Sequence, residues 1–194
     1  MATKHFGTIG FKSNWGSTET IDEKADRLDE LVSSLKAQDL EVVLVGMSAG
    51  GGFSEYYELT HPGKINHIYS LDGTLDTKVP GQKLEELAKK YPSFQEMMTF
   101  NNANLTPENI EKYQLDEKTT AYYSKTDSIV PKSVAAPSWV KGGRISAMNF
   151  PAMTHVAAIG TRFVNEIATI ISEAKEKGQL PSRAPGQWIN QNSK

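Results

Sequence analysis

The run Val42-Val43-Leu44-Val45 passes directly into Gly46-Met47-Ser48-Ala49-Gly50-Gly51-Gly52. A continuous β-branched and aliphatic run after a charged approach reads as a strand covered on both faces, as in a parallel sheet. The glycines that follow open a helix through about residue 59, which His61-Pro62-Gly63 ends. Strand therefore gives way to helix around Ser48. In so tight a turn, side chains two positions either side of the serine collide, and glycine at 46 and 50 removes them. Ser48 is then held exposed at the C-terminal edge of the sheet. Beside it the Ala49 N–H, at the helix N-terminus, is placed to receive developing negative charge.

The rest of the chain alternates in the same way. Thr20-Ile21-Asp22-Glu23 reads as a capping box, and Ile21, Ala25, Leu28, Val32 and Leu35 recur at helical spacing on one face. Further strands are expected over residues 4–9, 65–71, 119–124 and 144–150, and a last helix over 156–177 carries an apolar stripe. Residues 76–118 interrupt the alternation with polar helical stretches at 82–91 and 106–113. The expected architecture is α/β: a mostly parallel sheet of about five strands flanked by helices. One domain spans residues 1–178, with the excursion at about 76–118 forming a helical cap and 179–194 a loop-like tail.

A chain of 194 residues has room for one ordinary domain. Its net charge of −2 provides no electrostatic footprint for nucleic acid or an anionic membrane. No apolar run approaches a membrane span and the N-terminus lacks the apolar core of a signal peptide, so a soluble, cytoplasmic protein is expected. Cysteine is absent, which excludes disulfides and thiolate chemistry. No cluster of His and carboxylate residues has metal-ligand spacing, and no Gly-Lys-Ser/Thr follows the glycines, so neither a metal nor a nucleotide cofactor is expected.

Gly46-Met47-Ser48-Ala49-Gly50 resembles the nucleophile elbow of α/β-hydrolases. A serine hydroxyl needs a base within hydrogen-bond reach. Of the four histidines, His5 lies at the N-terminus, and His61 and His67 flank the start of a strand at the edge opposite Ser48. His155 follows the last expected strand and precedes the last helix, which puts it at the edge of Ser48. The run Tyr123-Ser124-Lys125-Thr126-Asp127-Ser128-Ile129-Val130-Pro131 is similar to the acid loop of many bacterial lipases and esterases, and the order Ser, Asp, His matches that fold. The resemblance implies a serine hydrolase that cleaves a carboxylic ester or thioester through an acyl-enzyme. Its triad would be Ser48, Asp127 and His155, with Asp72 the reserve acid.

Leu71-Asp72-Gly73-Thr74-Leu75 also has the D-G-T-L part of the haloacid-dehalogenase phosphatase motif, but Ser70 occupies the nucleophile position and Asp72-Gly73 reads as a turn. The α/β-hydrolase resemblance is short at its N-terminus, where further strands and a second oxyanion donor are expected. Either residues 4–9 fill the slot beside the Ser48 strand, so that Gly10-Phe11-Lys12 gives the second oxyanion N–H through Phe11, or the strands come from another chain or an upstream portion. This leaves a homo-oligomer or a complementing chain open. A domain retained for binding or assembly is the non-enzymatic alternative. Within the cap, Phe94, Met97 and Met98 share a helix expected to start at Pro92. They are candidates to line the site against an apolar acyl group, or else to anchor the excursion to the core.

Overall fold

The computed structural model describes residues 7–124, 127–141 and 144–145. In chain order the elements are α1 (Ile21–Lys36), β1 (Val43–Met47), α2 (Ala49–Thr60), β2 (His67–Leu71), α3 (Gln82–Lys90), α4 (Pro92–Asn104), α5 (Pro107–Tyr113), α6 (Leu115–Lys118), β3 (Thr119–Tyr123), α7 (Lys132–Ala135) and β4 (Arg144–Ile145). The capping box closes α1 as its sequence requires. Thr20 Oγ1 accepts from the Glu23 N–H, and a Glu23 carboxylate oxygen accepts from the Thr20 N–H at 2.7 Å. Ile21, Ala25, Leu28 and Val32 form its buried stripe.

The four strands are all parallel, in the order β1-β2-β3-β4. Their register levels the C-terminal ends: Met47 stands opposite Leu71, and Leu71 opposite Tyr122. Every residue of β2 and β3 is buried, as a sheet covered on both faces demands. The regular ladder of β2 begins later than its hydrophobicity suggests. Asn66 pinches the preceding step, its side-chain oxygen accepting from the Val42 N–H at 3.0 Å and its own N–H donating to the Val42 carbonyl at 2.7 Å.

The expected N-terminal strand is not formed over its described part. Residues 7–9 are exposed and carry no strand, and residues 4–6 lie outside the described residues. Among the described residues β1 is therefore an edge strand, and Val45 at its centre is 37% exposed where β2 and β3 are closed. The strand expected over 144–150 does begin at Arg144, and its continuation, the last helix and the tail lie outside the described residues.

The main core lies between α1, the sheet, α2 and α4, with Leu28, Phe53, Tyr57, Ile68, Met97 and Val134 among its members. Glycine decides how closely α2 approaches the sheet. A β-carbon on Gly51 would lie 2.8 Å from the Gly73 Cα, and one on Gly52 would lie 2.6 Å from the Thr74 carbonyl oxygen. Gly51 and Gly52 thus form a packing device that lets a helix sit directly on the turn after β2.

Candidate active site

Ser48 follows β1 at once, with φ 51° and ψ −123°. A non-glycine residue reaches that region only under strain, which the surrounding structure must hold in place. Three backbone bonds hold it. The Ser48 N–H donates to the Leu71 carbonyl at 3.0 Å, and the Ser48 carbonyl accepts from the Gly51 and Thr74 N–H groups, each at 3.0 Å. Ser48 is the N-cap of α2, yet its hydroxyl makes no capping bond. The helix starts at Ala49. The first N–H groups of a helix have no partner within it, and this is the end that favours negative charge.

Of the two glycines flanking the serine, one is sterically required. A β-carbon on Gly46 would meet the Gly50 carbonyl oxygen at 2.2 Å, whereas one on Gly50 has nothing within 4 Å outside its own helix. The expected collision is real, but it runs from position 46 against the backbone of position 50. Position 50 itself has room for a side chain.

Asp127 stands in the loop after β3. Its Oδ1 accepts from the Ile129 N–H at 2.7 Å and the Val130 N–H at 3.0 Å, so the carboxylate folds its own loop into a turn. Val130 is buried beneath it, and Pro131 then leads into α7. Ser48 and Asp127 thus leave the same edge of the sheet, from strands separated by β2. With neighbouring strands about 4.8 Å apart, β1 and β3 lie roughly 10 Å apart. His155, the expected bridge, lies outside the described residues. β4 runs parallel to β3 and pairs Ile145 with Tyr123.

His67 opens β2 at the opposite edge, buried, with its Nε2 2.9 Å from Thr120 Oγ1. His61 stacks on Tyr57 with ring centroids 4.9 Å apart and its Nδ1 2.9 Å from Thr60 Oγ1. Both serve packing, as their positions in the sequence suggest. His5 lies outside the described residues.

Phe11 is drawn to α2, its ring stacked on Phe53 at 5.9 Å with the Arg27 guanidinium 4.7 Å above it. Trp15 meets both Phe53 and Phe94 edge-on, at 6.0 and 5.7 Å. The segment that carries Gly10-Phe11-Lys12 is therefore pinned through its aromatics to α2 and α4. The candidate lining residues sit in the same packing. Phe94 is 3%, Met97 0% and Met98 5% exposed, all within the main core. α4 lies along α2 because Gly52 leaves space for the Met97 methyl, 3.0 Å from where a β-carbon would be, and the Asn101 amide donates to the Gly52 carbonyl at 2.9 Å. The hydrophobicity of α4 is thus buried against α2, α3, α1 and Trp15, and the excursion contributes α4 to the helical layer beside the sheet.

Two features are not evident in the sequence. Asp72, with φ 43°, accepts the Ser124 N–H on Oδ1 at 2.5 Å and donates its own N–H to the Tyr122 carbonyl at 2.8 Å. Only the Asp-Gly pair signalled a turn there. Glu55 on α2 is fully buried, with one oxygen 3.3 Å from the Asn101 amide and the other without a hydrogen-bond partner. Burial, reinforced by the Asp76 charge and opposed by Lys78, holds its carboxyl well above the usual range. Ser70, in the nucleophile position of the rejected phosphatase motif, is a fully buried wedge between Gly51 and Gly73.

No family model matches the sequence, and no curated protein matches it either. Solved structures do match. A meta-cleavage product hydrolase from Pseudomonas fluorescens aligns over 89% of this chain and 77% of its own at 15% identity, with a TM-score of 0.52. An α/β hydrolase from the metagenome of lagoon sediments of Mar Chica, Morocco, aligns over 87% and 75% at 15% identity and a TM-score of 0.49. A monoacylglycerol lipase from Paleococcus ferrophilus aligns over 80% and 74% at 16% identity and a TM-score of 0.47. What the chain shares with the meta-cleavage product hydrolase is the α/β-hydrolase fold.

Proposed function

We propose that this protein is a serine hydrolase that cleaves a carboxylic ester or thioester of a small molecule, with Ser48 as nucleophile, His155 as general base and Asp127 as the orienting acid. The observation that carries the reading is the backbone of Ser48. The chain keeps a serine at φ 51° in a strand-to-helix turn that glycine would occupy without strain. Strain of that kind persists where the half-buried serine side chain is the point of the turn.

In the proposed reaction, His155 takes the hydroxyl proton as Ser48 Oγ attacks the carbonyl carbon. The oxyanion that forms is met by the Ala49 N–H at the start of α2, with the Phe11 N–H as the proposed second donor. His155 returns the proton to the leaving alkoxide or thiolate, leaving an acyl group on Ser48. Water, activated by the same histidine, then releases the carboxylic acid and restores the serine. Asp127 keeps the imidazole oriented and stabilises its charged form.

A fluorophosphonate bearing a fluorescent label tests this without knowledge of the substrate. The wild-type protein is expected to become labelled and to hydrolyse p-nitrophenyl acetate or butyrate, and Ser48→Ala to do neither above background. Equal behaviour of the two would sink the enzymatic reading and leave a domain that binds without catalysis.

A further inference from the structure

The turn after β2 touches both halves of the proposed machinery. On one side, Leu71 accepts the Ser48 N–H and Thr74 donates to the Ser48 carbonyl, so residues 71–74 bracket the serine. On the other, Asp72 holds the end of β3 twice, through its N–H to Tyr122 and through its carboxylate to the Ser124 N–H. The backbone ladder between β2 and β3 ends at Leu71 and Tyr122. The side-chain bond from Asp72 extends the pairing by one further rung, where the chain is already turning away. Ser124 is buried and stands three residues before Asp127 in the chain.

The positive φ of Asp72 points the same way. Asp tolerates that conformation better than most residues, but glycine would adopt it at no cost, and glycine is in fact the next residue. A carboxylate at position 72 is therefore kept for what its oxygen does. One thing that oxygen does is accept from the Ser124 N–H, at 2.5 Å.

We propose that Asp72 is a positioning residue, fixing the strand end that delivers Asp127 relative to the turn that holds Ser48. The inference rests on the triad reading above, and it gives Asp72 a role distinct from that of the triad acid. Its action passes through backbone geometry: a slip of this strand end moves Asp127 away from the histidine it must orient, and displacements of about 1 Å cost on the order of 100-fold in rate.

The experiment compares Asp72→Asn and Asp72→Gly with wild type and Ser48→Ala in p-nitrophenyl butyrate hydrolysis, alongside amide hydrogen exchange at Ser124. Asp72→Asn keeps an Oδ1 acceptor and is expected to retain kcat within about threefold. Asp72→Gly relieves the backbone strain and loses the acceptor. Its kcat is expected to fall about 10–100-fold with KM nearly unchanged. In wild type the Ser124 amide should be protected like that of Tyr122, and in Asp72→Gly that protection alone should vanish. Wild-type kcat in Asp72→Gly overturns the proposal. So does an Asp72→Asn variant as inactive as Ser48→Ala, which would make Asp72 the acid itself. An unprotected Ser124 amide in wild type overturns it whether or not any variant folds. Activity that survives in Ser48→Ala instead strikes the triad reading, and the exchange measurement still reports on the Asp72 tie.

Discussion

A β-carbon on Gly46 would lie 2.2 Å from the carbonyl oxygen of Gly50. The obstacle is backbone at the start of α2, which cannot swing aside as a side chain can. Gly46→Ala is therefore expected to destabilise by about 3 kcal/mol or more, the upper range for an overpacked site. Gly50→Ala meets nothing outside its own helix and replaces a poor helix former, so it should be neutral or gain up to about 1 kcal/mol. Thermal unfolding of the pair checks this. Equal losses would refute the assignment of the clash to position 46.

Ser48 stores strain that its function would explain. Ser48→Gly should raise the unfolding free energy by about 1 kcal/mol, because glycine adopts a positive φ freely, while hydrolysis of p-nitrophenyl esters disappears. A variant both inactive and less stable than wild type would argue that the serine has a structural role in the turn.

Met97 is closed off between α4 and α2. Met97→Ala and Phe94→Ala are expected to cost about 2–5 kcal/mol each, as buried large-to-small changes do. Met98→Ala should behave similarly, with preference among ester chain lengths unchanged in all three. A changed preference at nearly constant melting temperature would move these residues from the core to the substrate pocket.

Glu55 makes stability depend on pH. Its folded carboxyl keeps its proton above the range where an unfolded Glu ionises, so the native state binds more protons and stability falls as pH rises through that window. Glu55→Gln cannot ionise and fills the same space. It should match wild type near pH 4 and exceed it by about 2–4 °C in melting temperature near pH 7, the shift of about 1 kcal/mol in a chain this size. Lower stability of Glu55→Gln at neutral pH would show that the ionised group is satisfied where it lies.

Much of this was readable before the fold. The capping box at Thr20, the buried strand before Ser48 and the parallel alternation all rest on local rules, in which residue type and spacing dictate a backbone shape. The start at Pro92 of the helix bearing Phe94, Met97 and Met98 was equally legible. What that helix packs against was not, because an apolar stripe says only that something covers it. Here the partner is decided by Gly52, forty-five positions from Met97 in the chain. The tie between Asp72 and Ser124 was hidden for the same reason, since it joins residues just past the ends of different strands. The strand expected over residues 4–9 is not formed over residues 7–9, where Gly7 and Thr8 have no neighbour to pair with among the described residues, and residues 4–6 lie outside them.

Strand order in the sheet follows chain order without exception among the described residues. Each strand therefore finds its neighbour already made, and none has to be inserted between two others. On a ribosome, β1 with its serine turn emerges first and β2 docks beside it. The loop bearing Asp127 follows the helical excursion, whose α4 packs on α2. The β1–β2 pairing spans residues 48–66, whereas the β2–β3 pairing spans residues 72–118 and bears the larger loop-closure cost. The arrangement that lines the C-terminal strand ends up in space also lines them up in time.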